Sequence, residues 1–185
     1  MGLWAEEHGD PLEGVQKVVE GFVRARSTVE PHLWEDALPT LEALKRQGLK
    51  LGVITNGNCD VTQPGITPRL AEIFDFQTSA SDAGAMKPAN APFLMACHLA
   101  QCHPAEIVHV GDCIRSDVGG AQGCGIRSIH LLRPESETQS GTFKSQAPLN
   151  TGDQGGEEHP VPSLVVSSLQ QIPDAIKKWG ISSAL

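Results

Sequence analysis

The 185-residue sequence has no long apolar run. The best, Leu49 to Ile54, is interrupted by Lys50, whereas a membrane-spanning helix needs about 20 apolar residues. A membrane partner is therefore not expected. The first residues carry Glu6, Glu7 and Asp10 where a secretory leader would carry basic and then apolar residues. Gly2 is followed at position 6 by Glu rather than by the Ser or Thr of a myristoylation signal. Positive charge is scarce: 14 Lys and Arg stand against 22 Asp and Glu, a net charge of −8. Duplex nucleic acid usually selects a basic balance or patch, so a nucleic-acid partner is not expected either. Any anion would have to be bound by a local site. The five cysteines (Cys59, Cys97, Cys102, Cys113, Cys124) are odd in number and hold no C-x-x-C pair. Neither a disulfide framework nor a zinc site follows. The expectation is a reducing, cytoplasmic compartment, with each cysteine acting as a small buried hydrophobe.

The composition itself is that of a globular chain, with 39% hydrophobic and 19% charged residues. At roughly 150 residues per domain the length suggests about one domain, long enough to bury about 70% of its unfolded surface. Val15, Val18, Val19, Phe22 and Val23 form one stripe of a helix over 14–25. Glu35 to Gln47 reads as a second helix with Leu38, Leu41 and Leu44 inward, stopped at Gly48. A strand from Leu49 to Ile54, a short helix from Arg69 to Phe74 and a strand from Phe74 to Ser79 follow. Pro92 to Gln101 reads as a helix with Phe93, Ala96, Cys97 and Ala100 on one side. Next come a strand Ile107 to Val110, a helix Ser116 to Gln122 and a strand Ile126 to Leu132. Leu164 to Val166 is a last strand, and a helix with Leu169, Ile172, Ile176 and Trp179 inward closes the chain. The alternation predicts an α/β fold with a parallel sheet.

Residues 134–162 break this pattern. Only Phe143, Ala147, Leu149 and Val161 are apolar, and five acids against one lysine give a net −4, half of the whole chain's charge. A disordered surface insertion is expected there.

Three stretches carry candidate chemistry, two of them directly after strands, where open α/β sheets place their ligands. Thr55-Asn56-Gly57 offers a hydroxyl and backbone N–H groups to a phosphate oxygen; Thr55 could equally cap a turn. Lys87-Pro88 offers a compact cation suited to a phosphoryl group, although a lone lysine is ordinarily just solvated. Gly111-Asp112-Cys113-Ile114-Arg115-Ser116-Asp117 places two carboxylates on one tight loop, which suits Mg²⁺ bridging to a phosphate. Asp117 also reads as a helix N-cap and Asp112 as a turn residue. The order and spacing of all three together is the stronger signal.

In LKLGVITNGN, AMKP and IVHVGDCIRSDVGGAQGCGI the chain resembles motifs two, three and four of the haloacid dehalogenase-like (HAD) hydrolases, over about Leu38 to Leu132 plus the closing strand and helix. ITNGN, HVGD and Gly119-Gly120 are similar to the capped branch that dephosphorylates flavin mononucleotide and a phosphoribitylaminouracil. The resemblance implies a Rossmann-like three-layer parallel sheet. It also implies a Mg²⁺-dependent phosphatase acting on a small phosphorylated metabolite through an aspartyl-phosphate. In that scheme Thr55 and Lys87 are catalytic, Thr55, Asn56, Gly57 and Lys87 hold the phosphoryl group, and Asp112 and Asp117 serve the metal. Such chemistry is mostly positioning and charge stabilisation. A dehalogenase is disfavoured by the paired acids.

One departure stands out. The family's first motif, D-x-D-x-T/V, is not found: Asp10 is followed by Pro11-Leu12, Asp36 lies in a helical pattern, and neither has an aspartate two residues on. The resemblance then implies that residues 1–37 are a remnant of a helical cap and 38–185 the α/β core, without its first strand. A chain lacking the nucleophile is expected to be marginally stable and not to turn over phosphate esters. A plastid address could have been lost with a missing front. A non-catalytic HAD-like binding protein is the alternative reading. Substrate identity and oligomeric state are not legible.

Overall fold

The computed structural model describes residues 12–57, 59–134 and 160–181. Helix α1 (Leu12–Ser27) forms where the apolar stripe predicts it, with Val18, Val19 and Phe22 exposed. Helix α2 (Ala37–Arg46) ends before Gly48, whose φ of 79° suits a residue without a Cβ. It buries Ala37, Thr40 and Leu44; Leu38 and Leu41 are only half-buried. The inward stripe is turned by one residue because Asp36, at its N-terminus, is drawn into a buried pair. Asp36 accepts from both terminal nitrogens of Arg133 (2.7 and 3.2 Å), from the Ser168 hydroxyl (2.7 Å) and from the Leu169 N–H (2.9 Å). The Arg133 guanidinium also lies over the Trp34 ring, 4.3 Å from its centre.

Strand β1 (Gly52–Thr55) starts later than the apolar run suggests. The Leu51 N–H donates to the Asp75 carboxylate and its carbonyl accepts from the Asp75 N–H. Those groups are therefore withdrawn from a strand ladder. Helix α3 (Pro68–Ile73) has no side-chain cap of its own. Glu30 supplies one from afar, accepting the Leu70 N–H at 2.9 Å. Strand β2 (Phe76–Ser79) runs into α4 (Ala80–Ala83), a short helix not expected from the pattern and closed by a reciprocal Ser79–Asp82 capping box. Helix α5 (Asn90–Ala100) buries Phe93, Ala96, Cys97 and Ala100, as their spacing predicts.

Strand β3 (Val108–Gly111) is followed by a wide π-type turn, Ile114–Gly119, and a short α6 (Gly120–Gly123), in place of the single helix expected from Ser116 to Gln122. The Asp117 carboxylate bonds back to the Cys113 N–H, which opens the turn. Gly120 lies so close under Phe93 and Pro88 that a Cβ would overlap the ring. Strands β4 (Arg127–Leu131) and β5 (Leu164–Val166) follow. A 3₁₀ turn (Leu169–Gln171) then leads into α7 (Ile172–Lys178).

Among the described residues every strand pair is parallel, in two ladders: β1 with β2, and β3–β4–β5. Helices cover both faces. On one, Leu44 of α2 and Ile172, Ala175 and Ile176 of α7 pack with Ile129 and Val166. On the other, Phe93 and Cys97 of α5 pack with Ala121 and Ile126. This is the three-layer α/β architecture expected from the sequence.

Of the expected insertion over 134–162, residues 135–159 lie outside the described residues, as do 1–11 of the expected cap remnant. After the gap, Pro160 packs on Gly119, and the Gln122 amide donates to the Val161 carbonyl. All five cysteines are unpaired, but only Cys97 is buried and Cys113 is exposed. Cys113 is kept at the surface because its backbone and sulfur cap the π-type turn. Among the described residues no helix is long and apolar enough to cross a membrane.

Candidate active site

The C-terminal ends of β1 and β3 meet at Lys87. Its ammonium donates to the Ile54 carbonyl of β1 (2.9 Å) and to Oδ1 of Asp117, beyond β3 (2.7 Å). An ammonium has three donors, so one remains for a further acceptor. The lysine side chain is only 13% exposed and its partner 6%. The loop that carries it is fixed by Asn56: its amide donates to the Lys87 carbonyl (3.0 Å) and its side-chain carbonyl accepts the Lys87 N–H (2.7 Å). The segment after β1 and the segment before α5 thereby form one unit.

Asp117 is a hub. Its Oδ1 takes Lys87 and, at 3.0 Å, Nε2 of His109; its Oδ2 takes the Cys113 N–H, also at 3.0 Å. Burial alone would raise its pKa. The His109 hydrogen bond and the charge and hydrogen bond of Lys87 overcome that, holding the carboxyl well below the usual carboxylate range. Gly111 makes the arrangement possible, because a Cβ there would overlap the Asp117 carboxylate.

The expected site residues fall into two groups. Thr55, Asn56, Lys87 and Asp117 are brought together, but several of their polar groups are already used. Thr55 Oγ1 accepts the Gly57 N–H at 2.9 Å, leaving the hydroxyl hydrogen for a ligand and removing Gly57 N–H from the expected phosphate donors. Asn56 is spent on positioning Lys87. Asp112 stands apart: it is exposed, and among the described residues its carboxylate has no hydrogen-bond partner. Its carbonyl is held by His130 Nε2 at 3.1 Å.

Magnesium is often bound through one or two carboxylates, with water and phosphate oxygens completing the shell. Asp112 fits that role. Asp117 already accepts from Lys87 and His109 at Oδ1 and from the Cys113 N–H at Oδ2. Among the described residues no group of three His, Cys, Asp or Glu side chains converges as a metal site. His109 and His130 were missed in the sequence. A histidine inside the apolar strand, two residues before Gly111 and so on its side of the sheet, was the available signal for His109.

The haloacid dehalogenase-like hydrolase family matches residues 2–125, and a second, HAD-hydrolase-like family matches residues 85–171. The chain belongs to the haloacid dehalogenase-like hydrolases. This HAD chain is 32% identical to a phosphoserine phosphatase of Thermus thermophilus, over 73% of its own length and 55% of the relative's. It is also 32% identical to the 5-amino-6-(5-phospho-D-ribitylamino)uracil phosphatase YigB of Escherichia coli, over 78% and 56% respectively. The chain thus spans about half the length of the curated relatives it matches. The crystal structure of a 2-haloacid dehalogenase from Pseudomonas syringae superposes with a TM-score of 0.66 at 30% identity, covering 94% of this chain and 66% of that one.

Proposed function

We propose that this HAD chain carries the phosphoryl-binding part of a Mg²⁺-dependent phosphatase for a small phosphorylated metabolite, working through an aspartyl-phosphate. The observation that carries the reading is the Lys87 ammonium, held between Asp117 and the carbonyl of Ile54, the residue before Thr55, with one donor left over. The two phosphatase relatives support it. Their names specify different phosphate esters, so the ester class rather than one substrate is proposed.

In this reading Lys87 and the Thr55 hydroxyl hold two phosphoryl oxygens. Asn56 keeps Lys87 aimed, and Asp117 fixes its ammonium. Asp112 would hold the magnesium ion, which when bound supplies charge neutralisation at the phosphoryl oxygens. Attack on phosphorus needs a free carboxylate. Among the described residues the carboxylate paired with Lys87 is Asp117, and both its oxygens are engaged. Residues 1–185 alone are therefore expected to bind phosphate without turning over esters. That same observation supports the second reading, a non-catalytic HAD-like binding protein. The five unpaired cysteines support a reducing, cytoplasmic setting.

The test is a ³¹P NMR titration of inorganic phosphate with and without Mg²⁺. Binding should weaken at least tenfold in Lys87→Ala, because a charge-assisted hydrogen bond contributes roughly 1.5–3 kcal/mol. Absence of phosphate binding, or binding indifferent to Lys87→Ala, overturns the proposal. Release of chloride from 2-chloropropionate by the chain would favour dehalogenation instead.

A further inference from the structure

Helix α5 begins just after the Lys87 loop and ends at Ala100. Its 11 residues span about 16 Å, so its last turn stands well apart from the phosphoryl site. Gln101 takes a left-handed φ of 58°. The Gln101 N–H donates to the His98 carbonyl (3.1 Å), and the Cys102 N–H reaches back to the Cys97 carbonyl (3.2 Å). These two bonds are the Schellman ending of a helix, which commonly packs together the side chains of the two residues joined by the outer bond. Here those residues are Cys97 and Cys102. Both line one open depression of about 460 Å³, with His98, Leu99 and Gln101.

The two sulfurs differ. Cys97 is 8% exposed and packs with Phe93, Ala121 and Ile126. Burial pushes its thiol pKa up, and the nearby Cys124 and Cys102 sulfurs add to the rise. Cys102 is half-buried, and its thiol donates to the Ala100 carbonyl at 3.5 Å. The Lys50 ammonium donates to the same carbonyl at 3.0 Å. A cation therefore stands beside the more accessible sulfur. Cys124 also packs on the Phe93 cluster, but its thiol is directed to the Asn90 carbonyl (3.7 Å), at the opposite end of α5.

We propose that Cys97 and Cys102 are a dithiol site that exchanges with an anionic, low-molecular-weight disulfide of the glutathione type and closes reversibly to a Cys97–Cys102 disulfide. Access sets the order of events. The Cys102 sulfur gives its proton to solvent and attacks one sulfur of the small disulfide. A mixed disulfide forms on Cys102, and one small thiolate leaves. The Cys97 sulfur then gives its proton to solvent and attacks the Cys102 sulfur, expelling the second small thiolate. The two cysteines lose two electrons and the small disulfide gains them. The Lys50 ammonium suits an anionic reagent, and a transient bond of this kind is the form a reducing compartment permits. The site does not rest on the proposed phosphatase function.

The probe is glutathione disulfide added to the folded 185-residue chain, followed by alkylation, proteolysis and mass spectrometry. The Cys97–Cys102 pair should exceed any other cysteine pair about tenfold, because the fold holds these two together, and dithiothreitol should reverse it. Cys97→Ala should stop the exchange at its first stage, so that Cys102 carries glutathione about tenfold more than in the unaltered chain. Cys102→Ser, at a position outside the buried core, should abolish closure and leave Cys97 without glutathione. Three results overturn the proposal. They are a Cys97–Cys124 pair in place of Cys97–Cys102, the same mixture of pairs as the chain gives in urea, and glutathione carried on Cys113 alone.

Discussion

Asp36 and Asp117 are both buried carboxylates that accept from a cation and from a backbone N–H, yet they serve different ends. Asp36 meets a bidentate guanidinium, a hydroxyl and the Leu169 N–H, and Arg133 is in turn covered by Trp34. Two of the five guanidinium N–H groups go to Asp36 and the face of the plane is covered by the Trp34 ring. The cluster joins the entry to α2, the end of β4 and the turn before α7. Asp117 instead holds an ammonium that also donates to the Ile54 carbonyl, one residue before the half-buried Thr55, and that has a third donor. A planar fork in bidentate contact with a carboxylate positions chain segments, whereas a compact point charge with a third donor suits a phosphoryl oxygen. Burial and charge alone do not mark a functional pair; the two differ in what they join, Asp36 tying three chain segments to a guanidinium stacked on Trp34, Asp117 fixing a lysine at the end of β1.

The largest expected effect breaks the structural member. Asp36→Ala leaves Arg133 buried without its partner and should cost about 3–5 kcal/mol in urea unfolding, while phosphate affinity per folded molecule stays unchanged. Asp117→Asn tests the other member. It removes a charge from Lys87 and should cost about 1–3 kcal/mol in stability; unlike the first variant, it should also weaken phosphate binding. Acid treats the two alike, because both carboxyls are held below their ordinary 3.8. Burial opposes the shift in each case. The Arg133, Ser168 and Leu169 bonds overcome it at Asp36, as His109 and Lys87 do at Asp117. A carboxyl with a lowered folded pKa contributes stability that is complete above the unfolded value and lost as pH falls through the folded one. Urea midpoints should therefore drop below about pH 4, and less steeply in Asp36→Asn. The smallest effect on stability belongs to Asp112→Asn. This exposed position should shift unfolding by no more than about 0.5 kcal/mol, yet it should abolish the magnesium dependence of phosphate binding.

The elements with strong periodicity were legible in the chain. The α5 pattern at Phe93, Ala96, Cys97 and Ala100 names its own buried face, because spacing along a helix dictates which residues share a side. Strand β1 and the turn after Asp112 were less so. Their limits depend on Asp75 capturing Leu51 and on Asp117 reaching back to Cys113, contacts between groups whose proximity arises only on folding. In the site, Thr55, Lys87, Asp112 and Asp117 were all named from sequence. Their partners were not: Asp112 is exposed, whereas Asp117 accepts from Lys87, His109 and the Cys113 N–H. The distant partners Glu30 and Arg133 carry no local signal, since each acts on a segment tens of residues away.

By itself the sequence determined the alternation of strands and helices, the family motifs and the acidic balance, because local spacing and residue type suffice for these. Tertiary structure alone decided which carboxylate is exposed and which cation each buried carboxylate meets. Those properties depend on which backbone and side-chain groups have already found partners across the fold.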